Sequence, residues 1–349
     1  MDQIAVVATQ PGGPSLATDL ILPARRRRQA WVQVGAYLAT VFVLITFNFA
    51  LPRLMPGDPI DSLMTRGHPS YVQNDRTRAR LAEYYNLDGS MPEQYARYLK
   101  GLPTFDFGVS VEANRPVSSD LRAGLPWTLL LIVTSTVVSI VVGIPLAVHS
   151  GWKRGKRVDR WLLAIFMGWS NLPVFVLGTL ALFVFSVELQ LFPYGGGVTP
   201  LNDYSGLAAV IDIARHLALP ALAMGSVAAT WNYLIMRSSM VAELGSDYLL
   251  TGRAKGLRER RLKYHYAGRN ALLPVVTNIG LQIGLGFTAV IFIERIFAYP
   301  GVGTYMFGAI GNRDYPALQG AFLLITLSVV TVNLFVDLLY RRLDPRTST

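Results

Sequence analysis

One polar, basic stretch of the chain reads Asp247-Tyr-Leu-Leu-Thr-Gly-Arg-Ala-Lys-Gly256-Leu257. It lies between two long apolar runs, and Arg269-Asn-Ala-Leu-Leu-Pro274 follows it after a second basic segment. An acidic residue such as Asp247 suits the positive end of a helix, and Gly256 stands where helices commonly end in a left-handed conformation. The stretch therefore predicts a short helix over residues 247–255, and a second helix over residues 258–267 that leads to the next apolar run.

A helix this short is marginal by itself in water, so it needs a surface to pack against. The residues Tyr248, Thr251, Gly252 and Lys255 share one face by their three-or-four spacing. Gly252 costs about 1 kcal/mol of helix propensity relative to alanine, but it lets another surface approach closely. The residues alone leave two interpretations open, a docking surface for a separate protein and an ordinary basic membrane loop.

The composition excludes an ordinary soluble protein, because 52% of the residues are hydrophobic and only 15% are charged, against about 25% charged in soluble domains. Six apolar runs each approach the roughly 20 residues that a helix needs to cross the hydrocarbon core. We therefore predict an all-α polytopic membrane protein with six transmembrane helices, at residues 31–51, 126–148, 161–186, 217–236, 274–293 and 317–340.

Lysine and arginine cluster in four segments that fall on one side of the membrane if there are six spans. Basic residues are retained on the cytoplasmic side, so the net charge of +10 indicates orientation in a bilayer rather than nucleic-acid binding. The predicted order is a cytoplasmic tail (1–30), helix 1 (31–51), a long extracytoplasmic loop (52–125), a core of helices 2–6 (126–340) with a cytoplasmic loop (238–273), and a cytoplasmic tail (341–349).

The long loop between helices 1 and 2 contains two short amphipathic patterns, at residues 76–85 and 92–102. Both predict short helices. Two interpretations remain open for this loop: a solvated cap over the helix ends, and a contact surface for an external partner.

The sequence lacks the residues that several kinds of chemistry require. There is no cysteine, and the four histidines lie far apart without the spacing of metal ligands. No nucleophile–base set or pair of carboxylates lies at membrane depth, so we predict neither a catalytic site nor a metal site. A Gly-x-x-x-x-Gly-Lys-Ser/Thr phosphate loop is absent from the sequence, so this chain does not bind ATP in that way. A mid-membrane acidic residue, which a proton-coupled carrier would need, is also missing.

The fifth apolar run carries Gly280, Gly284 and Gly286, with Asn278 and Gln282 between and before them. The spacing of Gly280 and Gly284 favours close helix packing, while a deformable gate helix is the alternative. The amides either line a transport pathway or form hydrogen bonds between helices. We take Asn278, Gln282, Gly284 and Gly286 as candidate pathway or gate residues.

The basic stretch resembles the cytoplasmic coupling loop of dipeptide and oligopeptide ABC importer permeases, through Arg253-Ala-Lys-Gly-Leu257 and Arg269-Asn-Ala-Leu-Leu-Pro274. Further segments resemble the same family in the same order. They are Leu54-Met-Pro-Gly-Asp-Pro59, Phe107-Gly-Val-Ser110, Arg115-Pro-Val117, His216-Leu-Ala-Leu-Pro220, Arg237-Ser-Ser-Met240, Tyr299-Pro-Gly-Val-Gly303, Arg313-Asp-Tyr-Pro316 and Asp337-Leu-Leu-Tyr-Arg-Arg-Leu-Asp-Pro345. The first of these, followed by a long loop, resembles the first (B-type) of the two permease subunits.

The resemblance implies the type I ABC importer permease fold and import of dipeptides or oligopeptides across a bacterial plasma membrane. The implied ATPase-coupling residues are Asp247, Tyr248, Thr251, Gly252, Arg253, Ala254, Lys255, Gly256 and Leu257. Two departures stand among them: Gly252 occupies a position where the wider family favours alanine, and Leu250 replaces a glutamate.

The implied partners are a second homologous permease subunit, two ATP-binding subunits or a fused one, an extracytoplasmic substrate-binding protein and membrane lipid, but no nucleic acid. Under this resemblance the chain has no cofactor of its own, and the partner subunits bind ATP and Mg²⁺. Similar permeases carry nickel complexes, glutathione or other small solutes, so these remain alternative substrates. A secondary transporter or channel that works without an ATPase remains the alternative of a different class.

Overall fold

The computed structural model describes residues 16–54, 75–85 and 87–343, and the regular structure of this part of the chain is helical. Residues 1–15 of the predicted N-terminal tail, residues 55–59 of the quoted segment that begins at Leu54, and residues 344–349 at the C-terminus lie outside it. The helices are α1 (Leu16–Leu54), α2 (Asp75–Tyr84), α3 (Met91–Gly101), α4 (Val117–Trp152), α5 (Arg157–Ser170), α6 (Val174–Ala181), α7 (Leu207–Glu243), α8 (Asp247–Ala254), α9 (Glu259–Arg261), α10 (Gly268–Ile296), α11 (Val302–Asn312) and α12 (Tyr315–Leu343).

Three shorter segments extend these helices. A 3₁₀ turn (Leu102–Thr104) follows α3, a π-helical turn (Leu182–Glu188) continues α6, and a second π-helical turn (Leu262–Ala267) joins α9 to α10. The chain divides into two compact units, residues 1–47 and residues 48–349. The described part of the first unit is the beginning of α1.

Five helical segments of the described chain are long and apolar enough to cross a membrane, and a sixth arises if one bent pair counts as a single span. The five are Gly35–Leu54, Val117–Trp152, Leu207–Glu243, Glu259–Ile296 and Tyr315–Val336. The prediction of an all-α polytopic membrane protein is therefore confirmed.

The third predicted span, residues 161–186, is not one straight helix. The pair Arg157–Ser170 and Val174–Glu188 is bent by 99° at the intervening residues. Proline has no N–H with which to continue a helical ladder, and Pro173 stands directly before α6. On the other side of the bend, the Asn171 side chain donates to the Met167 carbonyl at 2.7 Å and so satisfies an open carbonyl of α5.

The helices enclose three apolar clusters that follow one another along α4. The central cluster includes Leu131 of α4 and Phe287 of α10. The cluster at one end of the unit includes Ala147 of α4, Met240 of α7 and Leu249 of α8, and we call this end the α8 end. At the other end Val117 and Leu121 pack with Val302, Met306 and Leu318 of α11 and α12, and we call it the α11 end.

A buried carboxylate joins three helices at the α11 end. The Glu294 side chain, fully buried at the end of α10, accepts hydrogen bonds from the Thr128 hydroxyl (2.6 Å) and from the N–H groups of Gly303 (2.7 Å) and Thr304 (3.2 Å). The last two groups belong to the first turn of α11, where a negative charge is favoured. These bonds join α4, α10 and α11.

The predicted helices of the long loop are confirmed as α2 and α3, within one residue at each end. The Arg53 guanidinium at the end of α1 donates to Gln94 Oε1 from Nη2 (2.8 Å) and Nε (3.2 Å), which ties α3 to the end of α1. Asp314 accepts from the Ser110 hydroxyl at 2.5 Å and joins the segment before α4 to the start of α12.

Candidate functional site

Helix α8 begins and ends as the sequence predicts. Asp247 occupies its first turn and Arg253 its last. Gly256 has a φ of +73°, its N–H donates to the Arg253 carbonyl (2.9 Å), and the Leu257 N–H donates to the Gly252 carbonyl (3.1 Å). This pair of bonds is the Schellman motif, in which a left-handed residue after the helix satisfies the last open carbonyls. The motif fixes where α8 stops and the chain turns toward α9.

The inner face of α8 packs on the protein through Leu249 and Gly252, both of which are buried. A Cβ built on Gly252 would lie 2.5 Å from Leu262 Cδ2 and 3.5 Å from Leu257 Cδ1. A surface does approach closely at Gly252, as expected, and it is the π-helical turn before α10 in this same chain. Leu249 and Leu262 share an apolar cluster with Met236 of α7.

The outer face of α8 consists of Asp247, Leu250, Thr251 and Ala254, all of them exposed. These positions follow the i, i+3, i+4, i+7 spacing that forms one stripe along a helix. The Leu250 side chain is 67% exposed. The outer face is thus a short, mostly uncharged stripe that no other described residue of the chain covers.

The remaining predicted coupling residues occupy the edges of α8. Burial, and after it the hydrogen bond to Glu243, raises the pKa of the Tyr248 hydroxyl, which stays protonated and donates to the Glu243 carboxylate. Arg253 Nε donates to Glu259 Oε1 at 3.3 Å. Lys255 is exposed, and Leu257 is half-buried.

A buried polar network lies at the same end of the unit and joins α4, α5 and α7. Asp159 of α5 accepts hydrogen bonds from Arg237 Nε (2.7 Å) and Nη2 (2.8 Å), from the Ser150 hydroxyl (2.5 Å) and from the Gly155 N–H (2.8 Å). Ser150 also shares a hydrogen bond of 2.6 Å with the Tyr233 hydroxyl. Each carboxylate oxygen therefore has two donors, as a buried charge requires.

The network reaches the base of α8 through α7. The ring of Tyr233 stacks on Phe166, with centroids 4.0 Å apart and an interplanar angle of 11°. One turn after Arg237, Met240 packs closely on Gly151 of α4 and belongs to the same apolar cluster as Leu249. The elements under α8 therefore form one interlocked body, and a force on α8 would act on several long helices together.

Sequence reasoning missed two features of this site. Leu250 was absent from the predicted coupling residues, although its spacing from Asp247 and Ala254 places it on the same stripe. The Asp159–Arg237 pair carries no local signal, because the two residues are 78 positions apart in the chain.

The candidate pathway residues lie on two faces of α10. The Asn278 side chain donates to Asn232 Oδ1 (3.0 Å), and Asn232 donates to the Ser139 hydroxyl (3.0 Å), so a polar chain connects α10, α7 and α4. The amide nitrogen of Gln282 is buried and has no hydrogen-bond partner among the described residues.

Three of the glycines of α10 allow close approach of neighbouring helices. A Cβ on Gly284 would lie 2.6 Å from Asn333 Oδ1, and one on Gly280 would lie 2.6 Å from Val336, both in α12. On the other face, a Cβ on Gly286 would lie 3.3 Å from Met224 of α7. These contacts are packing contacts within the chain, as the first of the two interpretations of the glycines expects.

Comparison with known proteins identifies the family to which this architecture belongs. The family described as "Binding-protein-dependent transport system inner membrane component" matches residues 124–349. A protein of Brucella suis biovar 1 (strain 1330), provisionally named a peptide permease, is 37% identical over 310 residues, which make up 88% of this chain and 95% of that protein. The dipeptide transport system permease protein DppB of Escherichia coli (strain K12) is 34% identical over 331 residues, 90% of this chain and 96% of DppB.

DppB of Bacillus subtilis (strain 168) is 34% identical over 314 residues, 89% of this chain and 94% of that protein. The similarity thus extends over nearly the full length of each of these permeases, and in this chain it covers more than residues 124–349. The chain therefore belongs to the family of binding-protein-dependent transport system inner membrane components, among its peptide and dipeptide ABC permeases.

Proposed function

We propose that the chain is one permease subunit of an ATP-driven importer, and that the outer face of α8 docks on a separate ATP-hydrolysing subunit. The observation that carries this proposal is the two-sided packing of α8. Leu249 and Gly252 are buried against the protein, while Leu250 is 67% exposed on the opposite stripe. A partner that docks on this stripe would bury the Leu250 side chain, which is favourable.

The packing under α8 supports a mechanical role. Because Gly252 leaves no gap to Leu262, a displacement of α8 pushes directly on the turn that begins α10. Leu249 contacts the cluster that includes Met236 and Met240, so α7 moves with it. Close-packed interiors transmit strain rather than absorb it. A cleft that closes around α8 would therefore tilt the long helices α7 and α10 as a unit.

The proposal includes partners that this chain needs for activity. They are a second homologous permease subunit that completes the pathway, two ATP-binding subunits or a fused one, and an extracytoplasmic substrate-binding protein. ATP and Mg²⁺ would be held by the ATP-binding subunits. We place α8 and both chain termini in the cytoplasm, since the basic segments of the sequence cluster on that side.

We propose dipeptides or oligopeptides as the substrate. Support comes from the relatives, which are named for peptide or dipeptide transport. Within this chain, Asn278, Gln282, Gly284 and Gly286 remain the candidate pathway or gate residues. Gln282 is the first choice for contact with a peptide backbone, because its amide nitrogen lacks a partner among the described residues.

The test replaces Leu250 with arginine in the assembled complex, reconstituted in lipid vesicles. Because Leu250 is exposed, the Leu250→Arg variant should fold normally, yet it should lose co-purification of the ATP-binding subunits and ATP-driven dipeptide uptake. Leu201→Arg is the matched control, since Leu201 is a fully exposed leucine in the connection before α7. Unchanged assembly and uptake in Leu250→Arg, or ATP-independent uptake by the purified chain alone, would overturn the proposal.

A further inference from the structure

A recess of about 380 Å³ opens beside the turn that leads into α10, and three of its five lining residues are arginines. It is lined by Arg258, Arg260, Arg261, Tyr264 and His265. All five side chains are exposed, while Leu262 and Lys263, which lie between Arg261 and Tyr264, are buried against the body of the protein. The inward anchoring of these two residues directs the others outward around a single recess.

The positive charge of this recess is not neutralised within the described part of the chain. No carboxylate there lies within 4 Å of the guanidinium groups of Arg258, Arg260 or Arg261. The one acidic residue of the segment, Glu259, accepts instead from Arg253 of α8 at 3.3 Å. Three neighbouring guanidinium groups repel one another unless an anion lies between them, and their planar donor groups match the oxygens of a phosphate.

The position of the recess along the helix indicates that the headgroup layer of the membrane is the source of such an anion. The apolar run of α10 begins at Ala271, so His265 and Arg261 lie about 9 Å and 15 Å before it at ~1.5 Å per residue. Long basic side chains extend several Å toward the headgroup layer from such positions. Tyr264, 49% exposed, is an aromatic residue of the kind enriched at this depth.

We propose that Arg258, Arg260 and Arg261, with Tyr264 and His265, form a binding site for the phosphate headgroup of an anionic phospholipid. The occupied site anchors the turn between α8 and α10 to the membrane surface. It makes the complex sensitive to the anionic lipid content of the bilayer. The inference does not depend on the identity of the transported solute or on the ATPase contact of α8.

The test counts retained lipids by native mass spectrometry of the complex that contains the full chain. The complex in detergent is titrated with dioleoylphosphatidylglycerol or with zwitterionic dioleoylphosphatidylcholine. We expect a saturable preference for phosphatidylglycerol. Replacing the three arginines by glutamine should weaken its binding about fivefold for each arginine, and on the order of a hundredfold in the triple variant.

The matched control is the triple variant Arg154→Gln, Lys156→Gln and Arg157→Gln, which removes the same charge from exposed positions between α4 and the first residue of α5. It should leave the preference unchanged, and thermal unfolding should show both triple variants to be folded. Equal weakening of phosphatidylglycerol binding in both variants would show that the total positive charge alone explains the preference, and it would overturn the site. Three other results would also overturn it: no preference for phosphatidylglycerol in the unaltered complex, displacement of the lipid by millimolar inorganic phosphate, and loss of the ATP-binding subunits from the arginine variant with its lipid binding unchanged.

Discussion

Arg237 of α7 donates from Nε and Nη2 to the two carboxylate oxygens of Asp159 in α5, at 2.7 and 2.8 Å. The Asp159 side chain is 3% exposed and that of Arg237 is 19% exposed. This bidentate pair, with Ser150 as a third member, closes the α8 end of the helix bundle. Arg237 lies one turn before Met240, which belongs to the apolar cluster that packs under α8. The pair therefore stabilises the part of the protein on which α8 packs.

We predict that Asp159→Asn destabilises the protein strongly, because it leaves the Arg237 charge without its partner. Removing one member of a buried ion pair costs about 3 kcal/mol or more. Chemical unfolding in detergent measures the change. The control is Asp88→Asn, whose ion pair with Arg97 is 40% exposed on both sides and should contribute less than about 1 kcal/mol. Equal effects of the two substitutions would contradict the structural role of the Asp159 pair.

The contact between Gly252 and Leu262 leads to a second prediction. A leucine at position 252 has no room against Leu262 Cδ2, so Gly252→Leu should cost about 1–3 kcal/mol of stability despite its better helix propensity. Adding Leu262→Ala should recover part of the loss in a double-mutant cycle, measured by unfolding of the single and double variants.

Gly245→Ala serves as the control for that cycle, since a Cβ at position 245, two residues before α8, meets nothing within 4 Å. It should change the free energy of unfolding by less than about 0.5 kcal/mol. If Gly252→Leu is equally harmless, α8 is not packed on the turn before α10 as described.

The third prediction separates backbone strain from function. Gly256 and Gly155 have φ angles of +73° and +78°, and a Cβ on either would meet nothing within 4 Å. Gly256→Ala and Gly155→Ala should therefore lower stability alike, each by about 1 kcal/mol for the left-handed conformation. Only Gly256→Ala should lower ATP-driven uptake, because it alone disturbs the end of α8. Equal uptake by the two variants would argue against a coupling role for this end of the helix.

Features that depend on a few neighbouring residues were predictable from the sequence. The left-handed end of α8 follows from one glycine after a basic turn, and the Gly256 φ of +73° confirms it. The loop helices α2 and α3 follow from short amphipathic patterns in the same way. These signals are local, since turn and cap preferences act through the backbone of adjacent residues.

Features that depend on distant contacts were not predictable. The 99° bend within residues 161–186 was missed for a different reason, because hydropathy alone was used and the local signal of Pro173 was passed over. The spacing of Tyr248, Thr251, Gly252 and Lys255 predicted one shared face, but the structure divides it. Gly252 is buried against Leu262, whereas Thr251 is exposed on the outer face of α8. Helical periodicity gives neighbours on a surface, and tertiary packing alone decides which neighbours are covered.

The central claim, that the outer face of α8 docks on an ATP-hydrolysing subunit, can be tested directly because the chain contains no cysteine. A single substitution Ala254→Cys on the outer face of α8, or Leu201→Cys on the exposed connection before α7, gives one site for a maleimide probe. We predict that adding the ATP-binding subunits protects the Ala254→Cys variant at least about tenfold against labelling and leaves Leu201→Cys unprotected. Equal labelling of Ala254→Cys with and without these subunits in an assembled complex would contradict the account.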